Sequence, residues 1–543
     1  MSAGNHRLSG WLDFLSGRKV IPFTILGLVF ISKGWLLFTG FMNDDIQIIG
    51  TTRPESLAEV FYPFISINVW EIYWRPVTES LLKFQLLIGG LNPYLFRLTT
   101  LILFSLASYL LYITALKAGL RERGAGIAAI LFILVPSHEL NAAWISANGD
   151  LLAAIFLMLS FICWRGAFDK VKGTSLSAGW GALSFLLAAL SKELGYAGVL
   201  IPLLALIAYD GEKIKKVRLT VMGIAFHSIL VVLLLAYRYA FIGSDLFSAP
   251  HIQGVSVKAL LINFLLYIPG SFLSPELMQI SVEGFLSPLN LFFILLTAAL
   301  VGYAGYSVIR HNDKRGRFVL FFGAVWFINF IFPVLPVFMR WYPFTASAGL
   351  ITALSYFIDK AVSEKKLPAV ILALLIISSG VYSYLNSDSW HRAGVIYSEQ
   401  VNLLKSESEN ISRLDTLYLF GVPDKAERVA VMKLGINETA EFALGADTPP
   451  LRVMLRCELF DSRQKIERQS LNGYEVLKLK EGRFMLPGMR SSAVLKSETA
   501  NYEDSIVTIM VSTAEKGRGE FISIAKIYYK NPAHVNNSIF LLR

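Results

Sequence analysis

Apolar residues run in long blocks through the first 385 positions and then give way to short alternations. The first block, Val20 to Phe41, follows Arg18-Lys19 and has about the ~20 residues that a bilayer core requires. It has no small-residue cleavage site, so it predicts an anchor helix and not a removed leader. Lys33 lies inside it and is expected to snorkel toward the outer headgroups. Further blocks at 95–116, 124–136, 150–164, 177–190, 195–209, 219–240, 287–308, 318–336, 343–359 and 367–385 bring the expected count to eleven spans. The stretch 258–275 is apolar too, but Pro269-Gly270 and Pro275 interrupt it. It reads as a re-entrant or interfacial helix on the outer side.

After Tyr384 the period changes. Thr416 to Phe420, Val453 to Cys457, Ser505 to Met510 and Phe521 to Ala525 alternate between turn residues, which predicts short half-buried strands. A segment of ~150 residues is long enough for one core of its own. No repeat of 20–50 residues is visible, which argues against a tetratricopeptide array. The fold expected is an all-α polytopic membrane domain followed by a small α+β or β-rich soluble domain. Residues 1–19 form a cytoplasmic N-terminus, 20–392 the multispanning domain with an outer loop at 41–95, and 393–543 the extracytoplasmic domain.

Composition agrees with the pattern. Hydrophobic residues make up 54% of the 543 positions and charged residues 17%, and the mean hydropathy is +0.54. These values exclude a soluble enzyme, a disordered chain and a fibrous repeat. The net charge of +10 reflects Lys and Arg kept in cytoplasmic loops, so no nucleic-acid partner is expected. With the N-terminus inside, the inner segments carry twenty Lys and Arg and the outer segments before residue 388 carry seven. That asymmetry orients a multi-pass protein of the cell (inner) membrane, and an odd span count puts the C-terminal domain outside. Two cysteines and seven scattered histidines supply neither a disulfide framework nor a zinc site.

The outer loops hold the unusual charges. Asp44 and Asp45 follow the first span directly; one of them could cap a short helix, but a carboxylate at that depth also needs a cation, a metal or a proton. Arg75 stands among aromatics in Tyr73-Trp-Arg-Pro-Val77, suited to a phosphate or to a lipid headgroup. His138 and Glu139 could bind a metal, a sugar hydroxyl or each other, and Asp150 is placed to cap the next helix. Lys192 and Glu193 sit between two apolar runs, where an internal ion pair is the plain reading. Arg340 again lies among aromatics, and the last helix is expected to end near Asn386 to Arg392. Charge gathered at one face points to a single polar site at the outer membrane surface.

The order of these pieces resembles the C-type glycosyltransferases, the GT-C superfamily of multispanning enzymes that use polyprenyl-phosphate sugars. More narrowly, residues 20 to about 392 are similar to the tetratricopeptide-bearing transmembrane O-mannosyltransferases and their bacterial relatives. The resemblance rests on Asp44-Asp45, Trp74-Arg75-Pro76, Gly90 to Tyr94, Pro136 to Ser146, Lys192-Glu193 and Tyr209-Asp210. It implies an inverting transfer in which Asp44 is the base and Asp45 orients it or holds a divalent cation such as Mg or Mn. It also implies that Arg75, Lys192 and Arg340 meet the donor phosphate and that His138, Glu139 and Glu193 line the substrate. Any metal would be shared by Asp45 and Glu139. The implied partners are a polyprenyl-phosphate sugar, a protein, lipid or glycan acceptor, and membrane lipid. The sequence departs from the relatives at Arg97, Thr99 and Thr100, where they often carry His and Asn, and at Met339, where they have Glu. The rival reading is a flippase or transporter, which predicts inverted repeats and charges at mid-membrane.

Overall fold

Helices carry the first part of the chain because its apolar blocks must satisfy their own backbone. The computed structural model describes residues 13–66, 74–169, 174–209, 211–242, 256–273, 291, 295, 306, 313–339, 341–364, 366–411, 414–426, 429–445, 448–459, 463–471, 474–480, 482–486, 498–503, 507–516, 520–530 and 538–540. Among them six helices are long and apolar enough to cross a membrane: Ile21–Phe38, Pro93–Lys117, Ile145–Asp169, Thr174–Ser191, Lys216–Phe241 and Lys314–Val334. A seventh candidate is the pair Glu122–Leu134 and Pro136–Ala143, bent by 56°. Of the other expected spans, 195–209 corresponds to a shorter apolar helix, Glu193–Ile207, and 287–308 lies almost wholly outside the described residues. The interrupted stretch at 258 forms a 14-residue helix, Val257–Gly270, with Pro269 near its end.

The chain divides into two compact units. The first comprises Met1–Gly34, Pro54–Ile88 and Phe96–Leu385. At its heart lies the helix Asn148–Asp169, buried on nearly every side through Leu151, Ala153, Ala154, Leu157, Met158 and Phe161. An all-round apolar helix is a central one. Small residues allow close crossings elsewhere. A methyl added at Gly323 would lie 2.5 Å from the Gly349 carbonyl oxygen, so the helices Lys314–Ile331 and Pro343–Glu364 touch backbone to backbone. The 56° bend has a local cause: Val135 takes extended angles before Pro136, which starts a new helical turn.

The second unit comprises Trp35–Arg53, Gly89–Leu95 and Asn386–Arg543. The helix Lys366–Ser406 does not stop near Arg392 as expected. Trp390, Ala393, Tyr397, Val401 and Leu404 continue one buried stripe, and that stripe carries the helix onward. Beyond it the unit is β-rich. Strands β1 (Leu417–Phe420), β2 (Val422–Ala426), β3 (Val429–Ala430), β4 (Leu451–Val453), β5 (Arg456–Leu459), β6 (Ile466–Leu471), β7 (Tyr474–Lys480), β8 (Gly482–Met485), β9 (Glu498–Glu503), β10 (Val507–Lys516), β11 (Glu520–Tyr529) and β12 (Ser538–Phe540) form three sheets. Their orders are β12-β1-β4, β3-β2-β5-β8 and β6-β7-β11-β10-β9. The last is wholly antiparallel. Strand β1 differs from its expected half-buried state. It is buried along its whole length: Leu417, Tyr418, Leu419 and Phe420 are an unbroken apolar run between two parallel partners, the pattern of a strand covered on both faces. Gly421, at φ 71°, passes the chain from β1 to β2.

Candidate active site

In the first unit, the break at Pro136 brings polar side chains into a protein interior. Lys33 does not snorkel. It is fully buried, with Nζ 2.7 Å from Glu139 Oε2 and 2.6 Å from Ser383 Oγ. Removed from bulk solvent, the ammonium takes its counter-charge from this carboxylate. His138 turns away from Glu139. Its Nδ1 lies 2.7 Å from the Phe132 carbonyl oxygen and its Nε2 2.8 Å from Ser347 Oγ, with the ring between Phe132 and Phe344. Glu139 is thus held by an ammonium and is not presented as a metal ligand. Among the described residues, no three His, Cys, Asp or Glu side chains converge as a metal centre.

Two residues of the second span reach the break and the helix that follows it. Arg97, fully buried, donates to the Ala143 carbonyl, and Thr100 Oγ1 donates to Asn148 Oδ1 at 2.9 Å. Asp150 does not act as the helix cap. It lies in the first turn of the helix Asn148–Asp169 and pairs with Lys192. Burial lowers the Lys192 ammonium from its ordinary range, and the Asp150 carboxylate opposes that shift. Lys192 and Glu193 therefore do not pair with each other. Glu193 instead accepts a two-pronged contact from Arg75, with Nε at 3.0 Å and Nη2 at 2.7 Å from Oε2, and Arg238 Nη1 approaches to 3.7 Å. About a quarter of the Arg75 side chain stays exposed. Arg340, Tyr73 and Asp210 lie outside the described residues.

In the second unit, Asp44 and Asp45 occupy a buried turn directly after the first span. Asn43 precedes them at φ 52°, a left-handed conformation that Asn tolerates better than most residues. Asp45 begins the short helix Asp45–Ile49, and its Oδ2 accepts from Met42 N at 3.1 Å. Asp44 stands at the cap position but makes no cap hydrogen bond; its Oδ1 accepts from Asn43 Nδ2 at 3.1 Å. The two aspartates therefore differ. One is tied to the backbone, and the other is oriented by a neighbouring amide. Tyr397 packs within electrostatic reach of Asp45, where burial, chiefly, and that carboxylate hold its phenol above the ordinary range.

No family model matches the chain. Over 98 residues it is 30% identical to protein O-mannosyl-transferase TMTC1 of Homo sapiens, a stretch that is 18% of this chain and 11% of that protein. Over 151 residues it is 31% identical to protein O-mannosyl-transferase TMTC4 of Mus musculus, covering 24% of this chain and 20% of that protein. Over these stretches the chain is similar to the TMTC proteins. It spans a fifth or less of the length of either TMTC relative. Among solved structures it is similar to ArnT from Cupriavidus metallidurans bound to undecaprenyl phosphate, at 13% identity and a TM-score of 0.44, covering 81% of this chain and 86% of ArnT.

Several residues of this chain were not legible as site residues. Neither Asn43 nor Arg238 stands in a motif that marks it in the sequence. Gly435, whose missing side chain makes room for the Asn43–Asp44 backbone, lies almost 400 positions away. Only the glycine had a faint signal, as the turn before the amphipathic helix Ile436–Leu444.

Proposed function

We propose that the chain is an integral membrane glycosyltransferase that moves a sugar from a polyprenyl-phosphate donor to an acceptor on the extracytoplasmic face, with inversion at the anomeric carbon. The observation that carries this reading is the Asn43–Asp45 turn, in which a buried carboxylate directly after the first span is oriented by a side-chain amide. The relationship to proteins named O-mannosyl-transferases supports it.

The chemistry asks little more. The acceptor hydroxyl attacks the anomeric carbon, its proton passes to Asp44, and the bond from that carbon to the phosphate oxygen breaks as the polyprenyl phosphate leaves. A phosphate departs readily once its charge is met, so cations complete the machinery. Arg75, Lys192 and Arg340 are assigned to that charge, and Glu193 and Asp150 hold the first two in place. His138 and Glu139 shape the substrate side through the break at Pro136. In this reading the protein crosses the cell (inner) membrane eleven times, and residues 393–543 lie outside.

Purified full-length protein given a radiolabelled polyprenyl-phosphate hexose tests the assignment. Asp44→Asn keeps the shape and removes the proton acceptor, and is expected to cost roughly 10²–10⁴-fold in transfer with donor binding kept. An Asp44→Asn protein that transfers sugar at the wild-type rate removes Asp44 from the mechanism.

A further inference from the structure

The turn that holds Asp44 is built partly by residues from the far end of the chain. Asn43 N donates to the Val431 carbonyl oxygen at 2.6 Å. Leu434 N donates to Asn43 Oδ1 at 3.0 Å, and Asn43 Nδ2 donates in turn to Asp44 Oδ1 at 3.1 Å. One amide side chain therefore connects the backbone of the β-rich region to the carboxylate. Beneath the turn, Gly435 at φ 67° packs so closely that a methyl group there would lie 2.9 Å from the Asn43 oxygen and 3.3 Å from Asp44 Cα. Helix Ile436–Leu444 adds Glu438, whose Oε1 accepts from Gln47 Nε2 at 3.2 Å. The same helix is fastened to the stripe of the long helix by Tyr397 and Thr439, at 2.8 Å. All of these residues belong to the second unit.

We infer that the segment Val431–Glu438 is a positioning element for the Asp44 carboxylate, with Asn43 as the link and Gly435 as the space that lets it close. The physical reason is that Asn43 in a left-handed turn needs outside support to persist. Two backbone groups of the β-rich region supply it. This inference rests on the reading of Asp44 as the base. It gives the C-terminal region a part in transfer, not only in stability.

The test uses the purified full-length protein and separates turnover from binding. Asn43→Gly keeps the left-handed backbone and deletes both side-chain hydrogen bonds; Gly435→Ala fills the space. Each is expected to lower kcat roughly 10- to 100-fold, the scale of a misplacement of about 1 Å, with KM for the polyprenyl-phosphate sugar within about twofold of wild type. Val511→Ala, in the five-stranded sheet, controls for stability: it is expected to lower Tm and leave kcat unchanged. Wild-type kcat in both Asn43→Gly and Gly435→Ala, beside an inactive Asp44→Asn, overturns the positioning role alone. Loss of kcat in Val511→Ala equal to theirs, at a temperature where it is folded, does so as well. An Asp44→Asn protein with full activity overturns both the inference and the reading beneath it.

Discussion

Lys33 Nζ and Glu139 Oε2 meet at 2.7 Å across 106 positions of sequence, inside a protein interior from which both side chains are almost wholly shielded. Ser383 Oγ completes the contact, 3.0 Å from the same carboxylate oxygen. Three helices from the start, middle and end of the first unit are thereby held in one register. Removing one member leaves a buried charge without its counter-charge, whereas removing both leaves no charge there, only the Ser383 hydroxyl. Lys33→Met and Glu139→Leu are therefore each expected to destabilise the unit by about 3–5 kcal/mol, and the double variant by much less. Thermal unfolding in detergent of the four proteins checks the cycle, and a double variant whose loss equals the sum of the two single losses would show that the pair is uncoupled.

The crossing of Gly323 and Gly349 makes a second prediction. Gly323→Val forces the two backbones apart, because the new side chain meets the Gly349 carbonyl and Ala353 Cβ, not a flexible chain end. A loss of about 1–3 kcal/mol is expected, the scale of overpacking in a filled core. A Tm at or above the wild-type value would mean that the helices can separate there without cost.

Arg75 is expected to be irreplaceable by lysine. Its planar fork meets Glu193 through two nitrogens, and an ammonium cannot reproduce that geometry. Arg75→Ala should weaken binding of a polyprenyl-phosphate sugar by about 1.5–3 kcal/mol, with Arg75→Lys recovering only part. Unchanged donor affinity in the alanine variant would leave Arg75 as a structural partner of Glu193 only.

Acid should loosen the five-stranded sheet through Glu475. Burial pushes this carboxyl upward, but hydrogen bonds from Arg468 and Ser470 outweigh it and hold the folded value below the ordinary range. A depressed carboxylate contributes its full stability above the unfolded pKa of about 4.3 and loses it as pH falls through the lower folded value. Hydrogen exchange of β6 and β7, taken relative to the intrinsic amide rate at each pH, should therefore quicken below about pH 4.3 in wild type. Glu475→Gln should quicken it at neutral pH and flatten the acid response. A Gln variant with the wild-type acid profile would assign the effect to another group.

Orientation can be checked with single cysteines at the exposed positions Lys314 and Lys433. Buried Cys457, its thiol pushed well above the usual range by desolvation, should not compete for the reagent. An impermeant maleimide on intact cells is expected to label position 433 and not 314. The reverse result would invert the proposed topology.

What depends on local chain chemistry was readable before any packing. Blocks of ~20 apolar residues must form helices in lipid wherever they lie, and the change to period-2 patterning after Tyr384 correctly announced a β-rich region. The sequence also singled out Arg75, Glu139, Lys192 and Glu193 as charges with unusual surroundings. Partners were another matter. Lys192 and Glu193 are adjacent, yet one pairs with Asp150 and the other with Arg75, because side chains on consecutive residues diverge and each takes the counter-charge in reach. Lys33 read as a snorkelling residue since nothing near it in sequence is acidic; Glu139 comes from a separate helix. Strand β1, expected to be half-buried, is an unbroken apolar run buried throughout, since what packs over a sheet's faces decides burial. The support of Asn43 by Leu434 and Gly435 joins segments that share no pattern at all. Local periodicity records which face of an element seeks water, and only the packed chain decides which distant group meets it.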